Sequence, residues 1–534
     1  MNNNEYEAPI QRGLLKPTLQ ITVFSILQVM VGLVSGIIVA TKFGATIERD
    51  AYFAAVVVPI YITSVLVFSL SVSFLPVFIE CEIKKNKEEA WKVASIVINF
   101  IFLTLLGISL LGFIFAKQLI SVTVPGFKGE ELLLTTALLR IIFPSIMFSG
   151  LIGLLSSIYH AHNRFLRPAI TSLVRTLLML SSVVVLTRFW GIKSLAFGYL
   201  VSEIAGFFIL VPILFKQDRY RFSFDFHNEG VRRIIKVMSP LVFAGFFYRA
   251  STVIERRIAS ILPTGSISYL GYGNRIILLL GTISTTGIST TIFPQMARSW
   301  AENDLVKVRK YFARGIRIIM LVTFPIAMVF IVLRAPIIQV VFERGAFDHR
   351  TTLAVADVLM ILLIAFIFAG LGNVVGQGFY ISQKTKLAAA LKVVGLMIYI
   401  LLAHFLAKTL SYRGLGIAYS ARSVFDVTVG IIVLRRILGG VNGQRILEGL
   451  ARTLIASLCG GIAIYCSFKM VFVGDSLMMR SVVSAILGIV IYTFLVIYIL
   501  KLEEALLLKK KLLDKLRSLQ IWRNGLRDRN SIFF

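Results

Sequence analysis

Long and nearly unbroken apolar runs are the feature that most constrains how this chain can fold. Windows of about twenty apolar residues recur along it, and a helix of that length crosses the hydrocarbon core of a bilayer. Hydrophobic residues make up 57% of the 534 positions and charged residues 16%, which excludes a soluble globular protein. A membrane β-barrel would instead show short segments of alternating hydrophobicity. The sequence therefore predicts an all-α polytopic membrane protein.

About fourteen transmembrane helices are predicted from these runs. Their centres lie near residues 31, 65, 105, 145, 179, 205, 249, 281, 324, 364, 397, 424, 463 and 490. The first run, from about residue 20 to residue 43, follows a polar start and lacks a cleavage pattern of small residues. We therefore expect a retained span rather than a signal peptide.

An internal repeat divides the predicted helices into two sets. Residues 122–140 resemble residues 341–359, where Phe127 pairs with Phe347, and the same offset of 220 residues pairs residues 148–151 with residues 368–371. Several matches at one offset indicate a duplicated bundle, and an even number of spans gives both copies the same orientation. We predict two pseudo-symmetric six-helix lobes plus two C-terminal helices. The predicted segments are a cytoplasmic N-terminal segment 1–19, an N-lobe 20–215, a cytoplasmic linker 216–236, a C-lobe 237–436, the last two spans within 437–500, and a basic cytoplasmic tail 501–534.

The distribution of basic residues indicates the membrane topology of the chain rather than a nucleic-acid-binding site. The net charge is +29, but the lysines and arginines are dispersed over short loops and match no nucleic-acid-binding signature. Alternate loops hold about twice the Lys and Arg of the others, which predicts that both termini are cytoplasmic. The richer loops include residues 84–92, 216–222, 307–317 and 434–440. We expect the tail at 509–529 to lie against anionic membrane lipids as an amphipathic helix, with a partner-binding site as the alternative.

Metal, nucleotide and covalent chemistry lack a signature in the sequence. The three cysteines, Cys81, Cys459 and Cys466, suggest neither a disulfide framework nor a metal site, and the five histidines show no ligand spacing. No phosphate-binding loop is present, so we expect neither a bound cofactor nor ATP hydrolysis by this chain. These observations predict a transporter rather than an enzyme.

Charged residues within the predicted seventh span are the candidate binding residues. A guanidinium near the centre of a membrane helix costs roughly 2.5–3.5 kcal/mol, and it normally faces a cavity or a partner. Arg249 lies near the middle of the span, Arg256 returns to the same face two turns later, and Arg275 enters the eighth span at a similar depth. Guanidinium groups bind phosphate bidentately, so this cluster suits a diphosphate ligand. The alternative is structural pairing, in which Glu255 neutralises Arg256 or Arg257.

The polar stretch VFERGAFDHR, at 341–350, interrupts two apolar runs. Its place in the repeat predicts an external hairpin, where its charges are solvated. Gly345 is expected to form the turn and Phe347 to anchor it by packing. Contact between Arg344 and a substrate is the functional alternative.

Several segments identify a family. The chain resembles the MurJ/MviN lipid II flippases of the multidrug/oligosaccharidyl-lipid/polysaccharide exporter superfamily, over about residues 24–440. The segments that carry the resemblance are FGATIERDAYF (43–53), VPGFKGEEL (124–132), LRIIFP (139–144), ASILPTGSISYLGYGNRI (259–276), FPQMARS (293–299), FERGAF (342–347), GFYISQKTK (378–386) and LRRILGG (434–440).

The resemblance implies alternating access through a two-lobed bundle with a central cationic cavity. It also implies two C-terminal helices that help to form a groove for a polyprenyl tail. Arg275 and Asp50 fall on family positions, an arginine at the start of the eighth span and an acid after the first. The chain departs from the family at Val29, Ser35 and Thr63, where first-lobe arginines are usual, and at Lys384 and Ala388, which replace an acid and a proline.

Together these observations predict a flippase of the bacterial cytoplasmic membrane that carries lipid II, an undecaprenyl-diphosphate-linked peptidoglycan precursor. Arg249, Arg256 and Arg275 would hold the diphosphate, Glu255 and Asp50 would complete the site, and an ion gradient or the membrane potential would drive the cycle. Cell-wall synthesis proteins are possible partners. Three alternatives remain open: a flippase for another polyprenyl-diphosphate-linked oligosaccharide (an O-antigen or exopolysaccharide unit), a cation-coupled drug exporter, and a membrane scaffold that transports nothing.

Overall fold

The computed structural model describes residues 7–215, 220–225, 227–470, 476–507 and 509. Its regular structure is helical throughout these ranges. The helices are α1 (Glu7–Phe43), α2 (Ile47–Lys84), α3 (Lys87–Ile114), α4 (Ala116–Thr123), α5 (Gly129–Ile142), α6 (Ser145–Ala161), α7 (Leu166–Trp190), α8 (Lys193–Leu210), α9 (Glu229–Ala259), α10 (Ser266–Ala301), α11 (Leu305–Val332), α12 (Arg334–Phe342), α13 (His349–Ile381), α14 (Thr385–Leu410), α15 (Tyr412–Ile437), α16 (Gly443–Met470) and α17 (Leu477–Phe494). A π-helical turn, Leu495–Ile499, follows α17.

These helices confirm the predicted fold class. Within the described residues, 13 helical stretches are long and apolar enough to cross a membrane, with α5 and α6 forming one stretch between them. The remaining predicted centre, near residue 281, lies in α10, which is 36 residues long. Each of the roughly fourteen predicted spans therefore coincides with a helix.

The chain forms two compact units. Unit 1 comprises residues 1–272, 341–355 and 396–418, and unit 2 comprises residues 273–340, 356–395 and 419–534. These units differ from the lobes inferred from the repeat, because the start of α10 and the loop before α13 belong to unit 1. The domain boundaries at 215, 237 and 436 stay a prediction. Most of the predicted basic tail, from residue 510 onward, lies outside the described residues, as do residues 216–219 and 226 of the predicted linker.

Helix α2 organises unit 1. It packs against α3, α5, α6 and α9, while α7 packs against α1 and α8. Small residues allow close approach, as is usual where lipid removes the hydrophobic drive between helices. A Cβ added to Gly153 would lie 2.7 Å from Val67, and one added to Gly245 of α9 would lie 2.9 Å from Val65. The contact between α2 and α9 therefore joins the predicted N-lobe to the first helix of the predicted C-lobe.

In unit 2, the two C-terminal helices pack against α11. Helix α16 lies along α11 and α17, and Gly460 and Gly488 meet at the α16–α17 crossing, where a Cβ on Gly488 would lie 3.0 Å from the Gly460 carbonyl oxygen. The Tyr492 hydroxyl donates to the Leu321 carbonyl over 2.9 Å. Beyond the π-helical turn, buried Glu504 pairs with Arg317 at 2.6 Å. These contacts fix the end of α17 against α11.

Candidate functional site

Asp50 lies at the centre of a buried polar cluster in unit 1. It belongs to the first turn of α2, where a negative charge also suits the helix dipole. Its carboxylate accepts the backbone N–H groups of Gly265 and Ser268, each over 2.7 Å, and the Ser268 hydroxyl. The first N–H groups of a helix have no partner within that helix, so Asp50 caps α10 from another element. The residue is only 4% exposed.

Arg256 holds the same region from the end of α9. Its Nη1 donates to the Ile267 carbonyl over 2.9 Å and lies 3.5 Å from a carboxylate oxygen of Glu255. Both side chains are buried. The guanidinium carbon also lies 5.5 Å from the centroid of the Phe53 ring, which belongs to α2. The pairing of Glu255 with Arg256, which the sequence left as an alternative, is therefore present in this conformation.

Arg49 is a component of the cluster that sequence reasoning missed. Its guanidinium carbon lies 4.0 Å from the centroid of Phe53 and within 6 Å of the Tyr52 and Tyr272 rings. The residue is 2% exposed, and its Nε and Nη1 atoms have no hydrogen-bond partner. Sequence reasoning singled out only Asp50 in this segment, although the aromatic residues that follow Arg49 could have indicated a buried cation–π contact.

The hairpin before α13 closes over the turn between α1 and α2. The Ala346 amide donates to the Thr41 carbonyl over 2.8 Å. Gly345 has a φ of +58° and Gly44 a φ of +52°, and a Cβ on either would lie within 2.4 Å of the opposing backbone. Phe347 is 1% exposed and packs 5.3 Å from Tyr272, ring centroid to centroid. The predicted turn at Gly345 and the predicted anchor at Phe347 are confirmed.

The Thr351 side chain and amide hydrogen-bond to Asp348, which precedes α13 in this hairpin. These bonds lower the pKa of the Asp348 carboxyl below its ordinary value. The carboxylate also caps the first turn of α13, since the Thr351 amide donates to it over 2.9 Å. The hairpin is thus fixed both to its own helix and to the α1–α2 turn.

Helices α2 and α9 remain in contact far from Asp50. Midway, the Tyr61 hydroxyl donates to the Phe246 carbonyl over 2.6 Å. At the opposite end Arg233 pairs with Glu80 at 2.7 Å and Lys85 pairs with Glu229 at 3.4 Å, through side chains 33% to 89% exposed. We call the two regions the Asp50 end (Arg49, Asp50, Phe53, Arg256, Ser268) and the Glu80 end (Glu80, Lys85, Glu229, Arg233). One end is buried and multiply hydrogen-bonded, and the other consists of solvated ion pairs.

The structure brings together three of the five predicted site residues, namely Asp50, Glu255 and Arg256. Arg249 lies on α9 between the two ends, and its side chain is exposed. Arg275 is half-buried and belongs to unit 2. The predicted convergence of Arg249 and Arg275 around a ligand stays a prediction.

Two other carboxylates within membrane helices carry cationic partners. Glu203 of α8 pairs with Arg175 of α7, and Asp426 of α15 pairs with Lys392 of α14 at 2.7 Å. A cation-coupled drug exporter needs intramembrane carboxylates that can take up a proton or a metal cation. Because Glu203 and Asp426 are each paired with a cationic side chain, these two carboxylates are not the uncompensated acids that such an exporter needs.

The family model and the relatives that match this chain carry the same description. The family model described as lipid II flippase MurJ matches residues 39–484. The probable lipid II flippase MurJ of Buchnera aphidicola subsp. Acyrthosiphon pisum (strain APS) is 28% identical over 422 residues, which cover 77% of this chain and 82% of that protein. The lipid II flippase MurJ of Burkholderia cenocepacia is 22% identical, covering 79% and 84% of the two chains.

Solved structures share the fold. A lipid II flippase MurJ in an inward closed conformation superposes with a TM-score of 0.77 at 23% identity, covering 89% of this chain and 98% of that one. An inward-facing multidrug resistance MATE transporter of the MOP superfamily superposes with a TM-score of 0.69 at 16% identity, covering 77% and 94%.

Proposed function

The chain belongs to the lipid II flippase MurJ family, and we propose that it moves lipid II from the inner to the outer leaflet of the bacterial cytoplasmic membrane by alternating access. It is a multi-pass transporter and not an enzyme, since translocation makes and breaks no covalent bond. The structural observation that supports this mechanism best is the contact of α9 with α2 in unit 1, which extends from Arg256 and Phe53 at one end to Arg233 and Glu80 at the other.

The orientation proposed for the protein places both termini in the cytoplasm. Basic residues gather around the Glu80 end, where Lys84, Lys85, Lys87 and Arg233 lie, and an excess of positive charge favours the cytoplasmic side. The Asp50 end, with the hairpin before α13, then faces the outside. This orientation assigns an inner gate to the Glu80 end and an outer gate to the Asp50 end.

The two gates differ in the kind of interaction that holds them. Solvated ion pairs contribute little stability and are screened by salt, so the Glu80 end separates readily to admit a head group from the cytoplasm. At the Asp50 end the charged side chains of Arg49, Asp50 and Arg256 are buried, and separating α2 from α9 and the start of α10 would expose them to water. A bound ligand shifts such an equilibrium only by its differential affinity for the two states. The diphosphate therefore has to bind more tightly as the outer gate opens.

Arginine side chains are the proposed ligands of the diphosphate. Arg249 is exposed on α9 between the two gates, and Arg275 supplies the cation at the position shared with the family. Arg256, with Glu255 and Asp50, belongs to the outer gate in this conformation. The polyprenyl tail stays in the lipid, and an ion gradient or the membrane potential drives the cycle. The proteins that synthesise and consume lipid II are the partners that this activity implies.

Complementation of a strain depleted of its lipid II flippase tests the proposal. The wild-type chain should restore growth, and Arg275→Ala should not, because it removes a fixed positive charge from the proposed site. Arg275→Lys tests the need for bidentate binding, and Arg188→Ala is the matched control, since Arg188 is an exposed arginine of α7. A wild-type chain that reaches the membrane without restoring growth or exposing lipid II on the outer leaflet would contradict the function.

A further inference from the structure

We propose that Arg49 and Arg256, bridged by the ring of Phe53, form a diphosphate-binding exit site that is hidden in this conformation and exposed when α2 separates from the start of α10. The inference rests on the proposed function and adds a second position for the head group. Its ligand class is a diphosphate anion, the linkage that joins the glycan to the polyprenyl chain of lipid II.

Arg49 provides the first evidence for this exit site. A buried cation without a hydrogen-bond partner is unfavourable, because the protein does not replace the water that it has lost. The Nε and Nη1 atoms of Arg49 are in this position, and stacking on Phe53 at 4.0 Å compensates only in part. The carboxylates of Glu203 and Asp426, by contrast, each have an oppositely charged partner. The proposed role of Arg49 is therefore to bind an anion that cannot reach it in this conformation.

The second line of evidence is the shared aromatic ring. Phe53 contacts the guanidinium of Arg49 and also that of Arg256, so one side chain from α2 holds two cations from different helices. Nε of Arg256 also has no hydrogen-bond partner. A diphosphate presents two phosphate groups, and each can bind one guanidinium bidentately. The two guanidiniums beside Phe53 thus provide one cation for each phosphate group of a diphosphate.

Asp50 explains why the exit site is closed here. Its carboxylate occupies the N-terminus of α10 through the amides of Gly265 and Ser268, which is itself a favourable position for an anion. The Tyr272 hydroxyl donates to the Gly44 carbonyl over 2.7 Å and so holds the start of α10 against the α1–α2 turn. When these bonds break, Tyr272 leaves Arg49, and the two guanidiniums become accessible from the side at which the head group departs. Asp50 and the diphosphate thus compete for the same region.

The test measures binding of inorganic pyrophosphate to the full-length protein in nanodiscs of neutral lipid, by calorimetry. Asp50→Ala favours the open state and should tighten binding at least about tenfold, because it raises the fraction of competent protein. In that background, Arg49→Gln and Arg256→Gln should each weaken binding at least about tenfold, as expected for loss of a charge-assisted bond. Arg188→Gln, the matched control for net charge, should leave binding unchanged.

A disulfide that holds the gate closed provides the complementary measurement. Thr41→Cys and Ala346→Cys are introduced where the end of α1 and the hairpin before α13 are hydrogen-bonded, with Cys81, Cys459 and Cys466 changed to serine. Because Phe347 of this hairpin packs on Tyr272, the disulfide also holds the start of α10 in place. Pyrophosphate binding should disappear on oxidation and return on reduction. Lipid II added to the nanodiscs should compete with pyrophosphate, whereas phosphatidylglycerol should not. Equal competition by phosphatidylglycerol would overturn the assignment to a diphosphate.

Folding and function are separated by two further measurements. Arg49→Gln removes a buried charge whose Nε and Nη1 atoms lack hydrogen-bond partners, so its melting temperature should equal or exceed that of the wild type, whereas loss of a structural arginine would lower it. Lipid II flipping in proteoliposomes should fall at least about tenfold in Arg49→Gln. If the wild type flips lipid II and Arg49→Gln binds and flips equally well, the exit site is wrong and the proposed function stands. If the wild type does not flip lipid II, the proposed function is wrong, whatever the result of the pyrophosphate-binding measurements.

Discussion

Replacement of Asp50 by alanine should open the outer gate without unfolding the protein. The Asp50 carboxylate accepts three hydrogen bonds from Gly265 and Ser268 in a buried setting. A bond to a charged group contributes about 1.5–3 kcal/mol, and with allowance for non-additivity the three together favour the closed state by about 3 kcal/mol. A tenfold change in an equilibrium corresponds to about 1.4 kcal/mol, so Asp50→Ala should raise the open fraction at least about a hundredfold.

The rate at which a buried thiol is modified reports this fraction. Ser266→Cys is nearly isosteric, and Ser266 is 1% exposed in the first turn of α10, so a polar thiol reagent reaches it only when the gate opens. Cys81, buried near the Glu80 end, is retained as the internal control, while Cys459 and Cys466 are changed to serine. The modification rate at position 266 should rise about a hundredfold in Asp50→Ala, and the rate at Cys81 should not change.

Ser268 makes the prediction more stringent. Ser268→Ala removes one of the three bonds, so the rate at position 266 should rise about tenfold. Because the Ser268 hydroxyl acts through Asp50, the variant that combines Asp50→Ala with Ser268→Ala should show the same modification rate as Asp50→Ala alone. Rates within twofold of the parent in Asp50→Ala, or additive effects in the double variant, would refute the reasoning. A parallel rise at Cys81 would indicate global unfolding and contradict a local gate.

Two further predictions concern the hairpin before α13 and the Glu80 end. Gly345→Ala should lower the melting temperature more than Gly129→Ala. Both glycines have a positive φ, at which a side chain costs about 1–2 kcal/mol. Only at Gly345 would the new Cβ also clash, because it would lie 2.4 Å from the Thr41 carbonyl oxygen. Equal shifts in thermal unfolding would contradict the docked hairpin. Glu80→Gln should change the melting temperature only slightly, since its partner Arg233 is solvated, and the difference should vanish at high salt. A large difference that persists in salt would mean that this end is buried.

Hydropathy and the repeat were sufficient to predict much of the architecture. The spans follow from chain length and apolarity, which are local properties of the sequence, and each predicted centre lies within a helix. The repeat placed the hairpin at 341–350 outside the apolar runs, and its Gly345 turn and Phe347 anchor follow from the residue types. The two compact units could not be predicted, because they depend on which helices touch and not on where each helix begins.

The polar cluster shows where local reasoning ends. Asp50 was identified by position within a family resemblance, yet its partners lie more than two hundred residues away, and no periodicity links them. Arg256 and Glu255 were weighed as ligands or as a pair, and only coordinates could show them paired in this state. Arg49 was overlooked because a charge in the first turn of a span is usually solvated. Its burial depends on Tyr272, which α10 contributes.

The exposure of the Glu80 end leaves its ion pairs open to screening by cytoplasmic salt, unlike the bonds of the Asp50 end. Osmotic stress that concentrates cytoplasmic ions shortens the screening length and weakens the pairs between Glu80 and Arg233 and between Lys85 and Glu229. The buried bonds of Asp50 are shielded from the same ions. A rise in cytoplasmic salt would therefore shift the resting population toward loading, but only slightly, because each exposed pair contributes little stability.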